Sequence, residues 1–193
     1  MNPEELRTLK FLEELDKQQI QSQRELSQKL NLSLGLVNSF LKRLIQKGYF
    51  KAATIPKNRI KYILTPHGVA EKTRLTYEYI QFSLNYYRDT RYKLELLFND
   101  FVTRGSLKIV FWGVSELSEI AYLSLLDMPL KLVAIVDDNN VGQKFFKLEV
   151  KSSSELDSLF YNTILITSIN NNPNISEILF KKGIPKEKVV KIS

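Results

Sequence analysis

Two rhythms of apolar residues divide the chain. Up to about residue 104 they recur at helical spacing, interrupted by one pair of short β-like runs; beyond it, β-rich runs alternate with helical ones. Leu6, Leu9, Leu12 and Leu15, with Phe11 beside them, predict one apolar face on a helix over residues 4–15. Ser22-Gln23-Arg24-Glu25 has the form of a capping box and opens a short helix ending near Leu30. Asn31-Leu32 makes a turn, and Ser33 caps a third helix that runs to Lys47. Gly48 then supplies the residue that can turn left-handed. The inward face of this third helix is expected to be Leu34, Val37, Leu41, Leu44 and Ile45. Residues 49–55 and 60–64 predict two strands around Pro56-Lys57-Asn58-Arg59, a hairpin with a basic tip. Thr65-Pro66 marks the next helix start, with Thr as N-cap and Pro in the first turn.

From Pro66 to about Phe101 the only helix breaker is Gly68, so a single long helix is expected. Leu75, Tyr79, Phe82 and Tyr86, spaced four, three and four, form a heptad-like seam suited to dimerisation or to packing within the chain. The seam fails at Thr90 and Lys93 and resumes at Leu94, Phe98 and Phe101, which marks either a kink or a handover between packing partners. After Arg104-Gly105-Ser106 come strands over 107–112, 130–136, 147–150, 163–167 and 189–192. Helices are expected over 115–126, 153–160 and 174–182. This alternation predicts a small α/β Rossmann-like domain with a mostly parallel sheet. The expected organisation is therefore an α+β winged helix-turn-helix domain (1–65), a long connecting helix (66–104) and the Rossmann-like domain (105–193).

Charge sharpens the division. The formal net charge of +7 resides in residues 1–104, with 18 Lys and Arg against 11 Asp and Glu, while residues 105–193 carry ten of each. Residues 17–61 hold ten basic residues and one acid, Glu25, the electrostatic footprint of a polyanion site. There is no cysteine and a single histidine, His67, which excludes disulfides, thiolate zinc sites and cysteine nucleophiles, and argues against a histidine metal cluster. No catalytic constellation and no metal site is expected. The acidic N-terminus is unlike a signal peptide, and no segment approaches the ~20 apolar residues of a membrane span, so a soluble, cytoplasmic protein is expected.

Helix, turn, helix and a basic-tipped hairpin together make the winged helix-turn-helix plan. The helix after Ser33 would enter the major groove, presenting Ser33, Gly35, Asn38, Ser39, Lys42 and Arg43 to double-stranded DNA, while Lys57, Arg59 and Lys61 on the wing reach backbone or minor groove. Asn38 is a side chain able to pair bidentately with adenine. The stretch from Gln21 through Asn38 to Leu41-Lys42-Arg43-Leu44-Ile45-Gln46-Lys47-Gly48-Tyr49, with Leu64-Thr65-Pro66-His67-Gly68 after it, resembles MarR-like winged-helix regulators. Within these it resembles the group associated with bacterial exopolysaccharide gene clusters. The resemblance implies a homodimeric transcription regulator of polysaccharide or envelope genes.

In the second domain, Phe111-Trp112-Gly113-Val114-Ser115-Glu116-Leu117-Ser118 stands where a dinucleotide fingerprint would, and Asp137 follows at the distance of a ribose-binding acid. Only the first glycine is present, and the Glu116 carboxylate opposes a phosphate at the helix start, so NAD is not expected. Gly113, the Ile135-Val136-Asp137-Asp138-Asn139 run and Gly142 through Val150 resemble the small CoA-binding-like domains of sugar O-acyltransferases and of nucleotide-sugar enzymes of polysaccharide biosynthesis. That resemblance implies a nucleotide or nucleotide-sugar pocket at Gly113, Val114, Ser115, Asp137 and Asp138; a scaffold used only for protein contacts is the alternative. The expected function is a non-enzymatic DNA-binding regulator whose second domain senses a nucleotide-type ligand or a partner. The alternative is an enzyme or accessory protein of nucleotide-sugar metabolism that uses the winged helix for protein contacts.

Overall fold

The leucine face of the first helix is the base on which the N-terminal unit closes. In the computed structural model, which describes residues 1–17, 22–55, 59–168 and 175–192, α1 (Pro3–Asp16) begins at an Asn2 cap closed by Glu5. It buries Leu9, Phe11, Leu12 and Leu15. Helix α2 (Gln23–Leu30) starts where Ser22 Oγ accepts from the Glu25 N–H, and it stops at Asn31, left-handed at φ 51°. Helix α3 (Leu34–Gln46) is capped by Ser33 and sends Val37, Phe40, Leu41 and Leu44 into the core. The expected inward set requires a correction here. Leu34 is exposed, while Phe40 stacks on Phe11 with ring centroids 5.1 Å apart. Leu34 sits in the first turn, where the helix end leaves it uncovered.

Strands β1 (Phe50–Ile55) and β2 (Arg59–Leu64) pair antiparallel, Phe50 opposite Leu64 and Ala53 opposite Lys61. The Gln23 amide donates to the Tyr62 hydroxyl at 2.7 Å, which ties β2 to the start of α2.

Helix α4 (Pro66–Thr103) contributes to two separate cores. Leu75 is fully buried among the residues of α1, α3 and β1, whereas Leu94, Phe98 and Phe101 belong to a second cluster. The interruption at Thr90 and Lys93 is thus a handover, and Thr90 itself is buried. The chain forms two compact units, Met1–Asn85 and Tyr86–Ser193, so the segment expected as a linker is divided between them.

In the second unit the strands are β3 (Lys108–Trp112), β4 (Lys131–Val136), β5 (Lys144–Phe145), β6 (Leu148–Lys151), β7 (Thr163–Ile166) and β8 (Val189–Lys191), and the helices are α5 (Glu116–Leu125) and α6 (Ile175–Lys181). The sheet order is β5-β6-β4-β3-β7-β8. It is parallel except for the short β5–β6 hairpin. Alternate residues of β3 serve opposite faces: Ile109 and Phe111 pack with α4 and α5, and Val110 packs with Leu179 of α6. Two expectations are modified. The single strand at 147–150 is one arm of a hairpin that turns through Phe146 at φ 51°, and the helix at 153–160 is a 3-10 turn, Ser153–Ser158. Because β4 lies on one side of β3 and β7 on the other, the chain reverses direction across the sheet here. That reversal opens a crevice at the strands' carboxyl ends.

Gly68 shows how tightly α4 meets the chain entering β1. A Cβ there would lie 2.2 Å from the Tyr49 carbonyl oxygen and 2.7 Å from Leu64 Cδ1. In an open helix, Ala would gain roughly 0.8–1 kcal/mol over Gly; backbone overlap reverses the sign. Gly68→Ala should therefore destabilise the fold by about 1–3 kcal/mol, measured as a lower urea midpoint. An unchanged or higher midpoint would refute this packing.

Candidate functional site

On α3 the buried line Val37-Leu41-Leu44 fixes what faces outward. Gly35, Ser39, Lys42 and Gln46, at spacings of four, three and four, form an exposed stripe on the opposite side. A Cβ on Gly35 would meet nothing within 4 Å, so the backbone itself is open to close approach there. Ser33 is exposed at the cap, and its hydroxyl accepts from the Leu36 N–H at 3.3 Å. Asn38 lies beside the stripe, half-buried, and its Oδ1 is enclosed without a hydrogen-bond partner among the described residues.

Arg43 lies off this stripe. It points toward α1, paired with Glu4 at 2.8 Å and stacked over the Phe40 ring at 4.5 Å, roughly 100° round the helix from Lys42. On the hairpin, Lys61 is exposed, and the register puts Lys51, also exposed, on the same face. Arg59 stands opposite Ile55 in the register, and Lys57 lies outside the described residues. Gln46 and Lys51 were absent from the expected set, although helical and strand periodicity would have added both. His67 is exposed in the first turn of α4, its ring 5.0 Å from that of Tyr49.

The second site is a pocket of ≈ 760 Å³ at the carboxyl ends of β3, β4 and β7. All five residues expected there, Gly113, Val114, Ser115, Asp137 and Asp138, line it. Their roles are structural before they are anything else. Asp137 accepts from the Val114 N–H at 2.9 Å and from Asn139 N–H and Asn140 Nδ2 at 3.0 Å, pinning the glycine turn to the end of β4. Ser115 caps α5, accepting from Leu117 and Ser118 N–H groups and donating to the Thr167 carbonyl at 2.5 Å. Gly113 has φ 101°, and a Cβ on it would come within 2.6 Å of Ser168. The strand end of β7, not a ligand, is what demands glycine at this position. Sequence reasoning did not mark Trp112, Glu116 or Glu119 as pocket residues, yet all three line it.

Residues 7–51 match the family model of winged helix-turn-helix DNA-binding domains. The N-terminal unit carries a winged helix-turn-helix DNA-binding domain. Residues 105–190 match the model of C2185-like N-terminal domains, so the pocket lies in a C2185-like segment. No curated protein matches the chain. Among the described residues, no helix is long and apolar enough to cross a membrane.

Asp138 in the C2185-like segment accepts from the Ser153 N–H at 2.7 Å and from the Ser152 hydroxyl at 3.2 Å. The Ser153 N–H is the main reason its carboxyl is held below the ordinary value of 3.8. A depressed folded-state value stabilises the fold above pH 3.8, and that contribution is lost as the pH falls through it. Asp138→Asn should therefore lower the urea midpoint at neutral pH, with the gap to wild type closing as the solution is acidified below 3.8. A gap independent of pH would show that the carboxylate does not hold the Ser153 turn.

Proposed function

We propose that the protein is a homodimeric, MarR-like transcription regulator of polysaccharide or envelope genes, cytoplasmic and not an enzyme, whose C2185-like domain senses a small molecule. The DNA-binding part rests on the winged helix, and one observation carries the reading of its face. The α3 stripe Gly35, Ser39, Lys42 and Gln46 is exposed and carries no apolar side chain, a face suited to a major groove. Lys51 and Lys61 on the hairpin add phosphate contacts beside it. The MarR-like assignment and the polysaccharide target genes rest on the sequence resemblances given above. The sensing role rests on the pocket at the switch point of the sheet, where α/β domains hold their ligands.

Lys42 and Arg43, adjacent in sequence, should behave differently. Lys42→Ala should weaken binding to all duplexes and reduce the slope of log affinity against log salt by about 0.9, one phosphate contact. Arg43→Ala should leave that slope nearly unchanged, because its partner in the free protein is Glu4. Equal loss of slope in both variants, measured by fluorescence anisotropy over a salt series, would refute the assignment of the stripe.

The dimer reading rests on α4. Tyr79, Phe82 and Tyr86 are 45%, 52% and 58% exposed. Leu75, expected to join them, is excluded by its burial in the winged-helix core. Phe82→Glu should convert a dimer in sedimentation to a monomer with unchanged circular dichroism. Sedimentation of wild type as a monomer at micromolar concentration would overturn the dimer.

A further inference from the structure

In an open α/β sheet a diphosphate lies over the first glycine turn and takes its hydrogen bonds from the N–H groups that begin the next helix. Here the protein itself engages four of those groups. Val114 N–H donates to Asp137, Ser115 N–H to Ser118 Oγ at 3.0 Å, and Leu117 and Ser118 N–H groups to Ser115 Oγ. The crevice between β3 and β7 is bridged as well. Thr167 Oγ1 donates to the Gly113 carbonyl at 2.6 Å, and Ser115 Oγ donates to the Thr167 carbonyl at 2.5 Å. Ser168 fills the space next to Gly113 that a close-lying phosphate would need.

Above this closed floor stands the ≈ 760 Å³ cavity, a size within the usual ~300–1,000 Å³ of small-molecule sites. Its described lining includes Glu116, Glu119, Asp137 and Asp138 and no Lys or Arg. Half-buried Trp112, packed against the cluster of Val110 and Leu179, also lines it, with Ile175 and Ile178 as its apolar side. Asp137 and Asp138 are held by hydrogen bonds, but Glu116 and Glu119 are exposed and have no partner among the described residues. No group of three or more carboxylates or imidazoles among the described residues is placed to hold a metal ion. An aromatic residue beside exposed carboxylates, in a cavity of organic-molecule size, matches an organic cation.

We infer that the pocket takes an organic ammonium compound, its cationic group met by the Trp112 indole and the Glu116 and Glu119 carboxylates, and that it rejects nucleotides. The inference rests on the reading of the C2185-like domain as the sensing domain. It departs from the nucleotide-type ligand that the sequence resemblance implies.

Trp112 is the only tryptophan in the chain, so intrinsic fluorescence of the full-length protein reports directly on the pocket. The titrants are spermidine, choline and glucosamine, set against NAD and UDP-glucose. At least one amine should give a saturable change, roughly tenfold weaker in the double variant Glu116→Gln, Glu119→Gln. The two nucleotides should give none at millimolar concentration. Circular dichroism of the variant should match wild type. Saturable nucleotide binding would overturn the cationic ligand while leaving the sensing role intact. An amine signal unchanged in the double variant would also overturn it, as association elsewhere on the surface. Silence toward every compound would overturn the sensing role together with the inference.

Discussion

One helix has to satisfy two cores, and much of the molecule follows from that. Leu75 and Leu94 are both fully buried, yet they belong to different clusters. The stretch of helix between them belongs to neither cluster. That stretch holds Tyr79, Phe82 and Tyr86, exposed as a group. Single exposed apolar side chains are ordinary, whereas an aromatic run at heptad spacing is the pattern of a packing seam. The same helix that completes each core therefore also carries this exposed run.

The end of the parallel sheet shows a comparable economy of groups. The N–H groups of Val114, Ser115, Leu117 and Ser118, which a dinucleotide site would offer, are already used to hold the turn and the cap together. Asp137 fixes Val114, Ser115 fixes Thr167, and Asp138 fixes the 3-10 turn at Ser153. Buried or half-buried polar atoms must find partners, and in this domain they find them within the protein. The groups left over are the acidic side chains of the first turn of α5. Glu116 and Glu119 complement the helix dipole from solvent. The domain thereby has a parallel sheet with a crevice at its carboxyl ends, and the mouth of that crevice is acidic.

The fold was largely legible because its signals are local. Caps at Ser22, Ser33 and Ser115, the stop at Asn31 and the period change after residue 104 all depend on near neighbours in sequence. What sequence could not supply were facts of long-range contact. Arg43 reads as a groove residue until Glu4, thirty-nine positions away, is seen beside it. Leu75 reads as part of a seam until α1 and α3 close over it. Gly113 reads as half of a fingerprint until Ser168 is found where its side chain would be. Glu116 is the exception: its place in the first turn of α5 follows from the Ser115 cap alone.

Charge separates the two halves more firmly than topology does. The basic residues of the winged helix are not all available. Arg43 pairs with Glu4 and Lys29 with Glu25, whereas Lys42, Lys51 and Lys61 are exposed on α3 and the hairpin. Each phosphate that such a cation meets adds affinity by counterion release. The acidic pocket cannot compete for the same phosphates. The pocket's carboxylates and the winged helix's exposed lysines are of opposite sign, so a charged partner suited to one is repelled by the other before any shape is read.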